Sequence, residues 1–135
     1  MKEPVNTWTH FLTFIAGIMG LISLLVLSRG NVAKLITMSI YGVSLVVLYG
    51  ASSLYHWLKT TPLVEKWLRK IDHAAIYLLI AGSATPVFYY GLTRHWRWWM
   101  LAVTWALALV GIGLTCWRIF KSRIITTLFY LLMGW

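Results

Sequence analysis

Four long apolar blocks without a formal charge interrupt an otherwise basic chain: Phe11–Leu27 (extendable back to Trp8), Leu35–Trp57, Ala74–Leu92 and Trp98–Trp117. Each is long enough, as a helix rising 1.5 Å per residue, to cross the ~30 Å of a bilayer's hydrocarbon. None alternates apolar and polar residues with a period of two, so barrel strands are not expected. A fifth block, Ile124–Trp135, has only 12 residues and is too short to span. The pattern predicts an all-α integral membrane protein with about four complete helices and the start of a fifth. The spans are expected near residues 8–28, 35–57, 73–92, 97–117 and 124–135, the last incomplete, within one transmembrane domain of residues 1–135. The sequence is expected to stop inside a helix and to belong to a longer protein.

The first block is too long for a signal-peptide core. It runs into Ser28-Arg29-Gly30-Asn31 rather than a small-residue cleavage site, so a retained span is expected. Leu58–Ile71 is predicted to begin a new helix, with Thr61 as N-cap and Pro62 at the first helical position. Val64, Trp67 and Leu68 would then lie on the membrane surface, with Lys66, Arg69 and Lys70 toward headgroups.

Composition agrees. Hydrophobic residues make up 60% of the 135, charged residues 11%, and mean hydropathy is +0.76; soluble domains carry about 25% charged residues. The lone cysteine, Cys116, has no partner for an internal disulfide. The net charge is +9, but there is no Cys/His finger, basic helical stripe or phosphate-cradling glycine loop. Nucleic acid is therefore set aside, and anionic lipid headgroups are the expected contact.

The basic residues sort by side. Lys2, Lys59, Lys66, Arg69, Lys70, Arg118, Lys121 and Arg123 fall at one end of the predicted helices; Arg29, Lys34, Arg94 and Arg97 fall at the other. Eight against four places the N-terminus in the cytoplasm by the positive-inside rule, and the plasma membrane is the expected location. Trp8, Trp57, Trp96, Trp98, Trp99 and Trp117 stand at block ends, where aromatic belts form.

Ionisable groups that border a span are costly and call for a reason. His10 opens span one, His56 nears the end of span two, and Asp72-His73 opens span three, all at the same end; His95 is at the other. Ser52 and His56, four residues apart, share a helix face. Each has a plain alternative: Asp72 as an N-cap, His56 snorkelling, Ser52 bonded to its own backbone, His10 and His73 as interfacial groups, and the tyrosines as packing. The chemical reading is a metal site, with an imidazole as ligand and a carboxylate that holds water and takes its proton. On span three, Pro86 leaves the Gly82 carbonyl without its helical donor; Ser83 or Thr85 is expected to help satisfy it, and a kink there would shape a cavity.

Ser52-Ser53-Leu54-Tyr55-His56 and the run Ile71-Asp72-His73-Ala74-Ala75-Ile76-Tyr77-Leu78-Leu79-Ile80-Ala81-Gly82-Ser83-Ala84-Thr85-Pro86 resemble the hemolysin III family, bacterial relatives of the adiponectin and progestin receptors and, more distantly, of alkaline ceramidases. Glu3, Asn6 and His10, Ser39–Gly42, and Tyr130–Trp135 extend the resemblance along nearly the whole chain. It implies seven transmembrane helices with a cytoplasmic N-terminus and a zinc centre near the cytoplasmic end. It also implies His56 as a zinc ligand, Ser52 as a catalytic residue that orients His56, and Asp72 as the catalytic group holding the zinc-bound water. His10 and His73 are expected to steady these groups. The remaining ligands, a His-x-x-x-His pair on the seventh helix, are absent here, so zinc binding and activity are expected to need further helices. The expected function is a zinc-dependent hydrolase of a lipid amide or ester. The alternatives are a cytolytic pore-former, against which stands the lack of a polar stripe along any span, and a non-catalytic lipid sensor, with Gly82, Pro86, Gly111 and Gly113 lining a cavity.

Overall fold

A computed structural model describes residues 2–117 and 123–134. They form five helices: α1 (Pro4–Leu27), α2 (Val32–Trp57), α3 (Pro62–Gly91), α4 (Arg94–Trp117) and α5 (Arg123–Gly134). No strand occurs among the described residues. The first four are long and apolar enough to cross a membrane. Arg118 and Lys121, used in the charge count, and Trp135 lie outside the described residues, as does the side chain of Arg123.

Neighbours in sequence are neighbours in space. Among the described residues α1 packs only on α2, α2 on α1 and α3, and α4 on α3 and α5, while α5 lies against α3 and α4. The first four helices therefore form an open row rather than a closed bundle.

Helix starts lie outside the hydrophobic blocks. α1 begins at Pro4, α2 at Val32 and α4 at Arg94, because a helix continues through the headgroup layer after its apolar stretch ends. The turn between α1 and α2 is tight. Asn31 N–H donates to Ser28 O at 3.2 Å, Gly30 takes φ +88, which glycine adopts without steric cost, and the Asn31 side chain caps α2 by accepting from Lys34 N–H at 3.0 Å.

The largest difference from the sequence expectation is in α3. Thr61 is its N-cap, without a side-chain capping bond, and Pro62 stands in its first turn. The helix then runs unbroken for 30 residues, about 45 Å. Residues 62–71 are thus the protruding end of the spanning helix and not a separate surface helix. Asp72 lies well inside it, which overturns the N-cap reading of that residue.

Small residues bring the row together, as is usual where lipid offers no hydrophobic drive between helices. A Cβ on Gly82 would sit 2.7 Å from Ser44 Cβ, and one on Gly111 would meet the Tyr77 ring at 2.5 Å. Gly82 and Gly111 are thus filled contacts and do not line a cavity. Tyr77 and Ala81 of α3, Ala108 of α4 and Met133 of α5 form the core. Around Pro86 the hydroxyls go elsewhere than expected: Thr85 Oγ1 donates to Ala81 O at 2.7 Å and Ser83 Oγ to Ile80 O at 3.0 Å, not to Gly82 O. Trp105, mid-span on α4, satisfies its indole by donating to Thr85 Oγ1 at 3.1 Å.

Candidate functional site

The chain's three acids are Glu3, Glu65 and Asp72. All stand at the end where α1 starts, α2 stops and α3 enters the row. At this end the structure brings together His10, Ser52, His56, Asp72 and His73.

Two adjacent serines show how. Ser52 and Ser53 are equally buried, each 4% exposed. Ser53 Oγ donates to Tyr49 O one turn back at 2.6 Å, the habit of hydroxyls in apolar helices. Ser52 does not follow it: its Oγ is 2.7 Å from His10 Nδ1 across the α1–α2 seam and also faces the Asp72 carboxylate of α3. A hydroxyl has one proton and two acceptor lone pairs. A proton donated to the carboxylate, with His10 Nδ1–H donating to Ser52 in turn, would link His10, Ser52 and Asp72 across three helices.

His56 packs beside them. Its ring stands edge-on to His10, centroids 5.4 Å apart. His56 Nδ1 is 2.9 Å from Glu3 Oε2, yet the buried nitrogen makes no aligned hydrogen bond; the contact is electrostatic, off the N–H axis. His73 Nδ1 likewise lies 3.5 Å from Asp72 Oδ2 without forming an aligned bond. Asp72 is 9% exposed. Tyr130 of α5 donates through its hydroxyl to His73 O at 3.1 Å, bringing a fifth helix to the same end. His95 starts α4 at the opposite end and takes no part.

Glu3 was not among the predicted site residues. Its contact with His56 spans 53 positions of sequence, and spacing within one helix carries no signal for it; only its place with Asn6 and His10 in the family resemblance pointed there. Glu3 lies outside the spans. Its carboxyl is held below the usual range by the Asn6 amide, which donates to Oε2 at 2.7 Å, and then by His56. Lys2 is held above its ordinary value by Glu65, whose Oε1 is 2.5 Å from Nζ, and by Tyr55.

Among the described residues, no group of three or more His, Cys, Asp or Glu side chains is disposed to hold a metal ion. A catalytic zinc takes three protein ligands and keeps one position open. His56 offers one imidazole, and its Nδ1 already faces Glu3. The zinc implied by the resemblance does not fit these residues alone.

Four apolar spanning helices with a buried polar cluster at one end define a multi-pass α-helical membrane protein. The chain belongs to the haemolysin-III related family, which matches it over residues 1–135. It is 37% identical over 136 aligned positions to "Hemolysin-3" of Bacillus cereus, covering 99% of this chain and 62% of that protein. It is 33% identical to "Hemolysin-3 homolog" of Bacillus subtilis (strain 168), covering 99% and 63%. An "Adiponectin receptor protein" of Drosophila melanogaster is 30% identical over 127 positions, 89% of this chain and 28% of the receptor. The chain thus spans under two thirds of the length of these relatives. No solved structure matches it significantly.

Proposed function

We propose that this chain builds the base-bearing part of a hydrolytic site for a lipid amide or ester, at headgroup level on the cytoplasmic side of the plasma membrane. One observation carries the reading: a buried carboxylate, Asp72, faces a serine whose hydroxyl is shared with His10, with a second imidazole, His56, alongside. Asp72 is placed to take a proton from water attacking the acyl carbon. Ser52, held by His10, fixes the carboxylate's orientation. The basic residues at this end draw an anionic headgroup toward it.

The described residues hold no group that would polarise the carbonyl. In the family resemblance a zinc ion supplies that chemistry, and it needs ligands beyond His56. The 135-residue chain alone is therefore expected to bind no stoichiometric zinc and to release no fatty acid. Tight zinc that is lost in His56→Ala would refute this. For the reaction itself, residues 1–135 can replace the matching part of the longer Bacillus cereus relative. Fatty-acid release by this chimera is expected to vanish with Asp72→Ala, and equal release from the variant would end the hydrolase reading.

A pore is not favoured. Thr37, Ser44, Ser53 and Thr85 bond carbonyls of their own helices, so they do not line a water path. A lipid sensor without catalysis draws support from the similarity to the Drosophila receptor, and an acyl lipid bound intact by the chimera would favour it.

A further inference from the structure

Glu3 has no part in the chemistry above, yet it is tied down on three sides. It is the N-cap of α1, but its side chain makes no capping bond. Asn6 Nδ2 donates to its Oε2 at 2.7 Å, and that oxygen lies 2.9 Å from His56 Nδ1. Its backbone N–H donates to His56 O at 3.3 Å. The residue before it is anchored as well: Lys2 pairs with Glu65 of α3 at 2.5 Å and stands 4.4 Å over the Tyr55 ring of α2. Residues 2–3 form a strap from the start of α1 across the end of α2 to the start of α3.

We infer that Glu3 is a positioning residue for His56: the strap holds a carboxylate against one edge of the imidazole, fixing the ring proton on Nδ1 and leaving Nε2 bare for the site. The reason is elementary. A carboxylate oxygen 2.9 Å from an imidazole nitrogen repels a lone pair there and attracts an N–H. The nitrogen is buried, so the partly exposed carboxylate and not water is the group it faces. With one nitrogen protonated, the other of a neutral ring is an acceptor. A carboxylate that sets a histidine's tautomer and orientation is a recurrent way to prepare it as ligand or base. Asn6 stands three positions after Glu3, so it locks the carboxylate from α1's own first turn.

This deepens the reading of a hydrolytic site by naming the nitrogen turned toward it, but its test reads the ring itself and needs no turnover. The full chain, labelled with ¹⁵N-histidine in lipid nanodiscs at neutral pH, is compared with Glu3→Ala and Glu3→Gln, and His56→Asn assigns the resonances. The wild type is expected to show the His56 proton on Nδ1. Glu3→Ala is expected to move it mainly to Nε2, while Glu3→Gln, which keeps an acceptor oxygen, retains the Nδ1–H form in the larger share. His95, at the other end, should not change. A wild-type proton on Nε2, or an Nδ1–H share unchanged by Glu3→Ala, overturns the inference.

Glu3 caps through its backbone carbonyl, which accepts from Thr7 N–H and Thr7 Oγ1, so Glu3→Ala leaves the helix start intact. Should it still fail to fold, Asn6→Ala keeps the carboxylate but unlocks it, and is expected to give mixed tautomers; an unmixed Nδ1–H signal overturns the inference equally. The expected tautomers with no hydrolysis by the chimera remove the hydrolase reading alone. Hydrolysis with indifferent tautomers removes only the role of Glu3.

Discussion

Replacing Ser52 and Ser53 separately by alanine isolates what the polar cluster contributes. The two serines share a helix and the same exposure, 4%, and each loses one hydroxyl. They differ only in the partner. Ser53 Oγ bonds Tyr49 O, a carbonyl that the helix already satisfies through its backbone. Its removal is expected to cost about 0–0.5 kcal/mol, as for a local back-bond. Ser52→Ala strips His10 Nδ1 of its partner at 2.7 Å and removes a hydroxyl from beside the Asp72 carboxylate. Leaving a buried polar group unpaired costs about 1–3 kcal/mol, and two groups are affected here, so the upper half of that range is expected. The assay is reversible unfolding from bicelles by increasing SDS, followed by tryptophan fluorescence. A double-mutant cycle with His10→Ala should give a coupling of about 1 kcal/mol, because the shared bond is lost only once. Equal costs for the two serines, or a cycle that closes to zero, would show that the hydroxyl of Ser52 bridges nothing.

Other outcomes follow from the same coordinates. Gly82→Ala should destabilise the α2–α3 seam by about 1–3 kcal/mol through overpacking, since the added carbon meets Ser44; Ser44→Gly should restore part of the loss in the same unfolding assay, and no restoration would refute the contact. Glu3 has a depressed carboxyl, so the folded state binds fewer protons than the unfolded one near the ordinary carboxylate value. Its stabilisation is present above that value and is lost as pH falls through the lower folded one. Glu3→Gln should flatten the acid limb of the stability profile, and an identical limb would contradict it. Lys2, raised by Glu65, has the opposite sign: its contribution is present below the ordinary lysine value and fades as pH climbs through the folded one, and Lys2→Met should remove that alkaline dependence.

The helical rods were legible in the hydrophobic blocks because a bilayer leaves a chain few choices. Their starts were not, since the hydrophobic pattern reports hydrocarbon depth and helices continue past it; the protruding turns of α3 from Pro62 onward show the difference. The placement of His10, His56 and Asp72 at one end could be read from connection lengths alone. The partner of Ser52 could not, because a helical serine ordinarily bonds its own turn, as Ser53 does. The strap contact of Glu3 was hidden for a different reason: it depends on how two helix ends meet, and no local spacing encodes that.

The row-like arrangement has a consequence for biogenesis. Among the described helices α1 touches a single neighbour, and the His10–Ser52 contact lies on that seam, so it can close once the second segment has entered the bilayer. The carboxylate arrives only with the third. Until then the two imidazoles and the serine wait without their acidic neighbour, and the insertion of α3 completes the buried polar cluster.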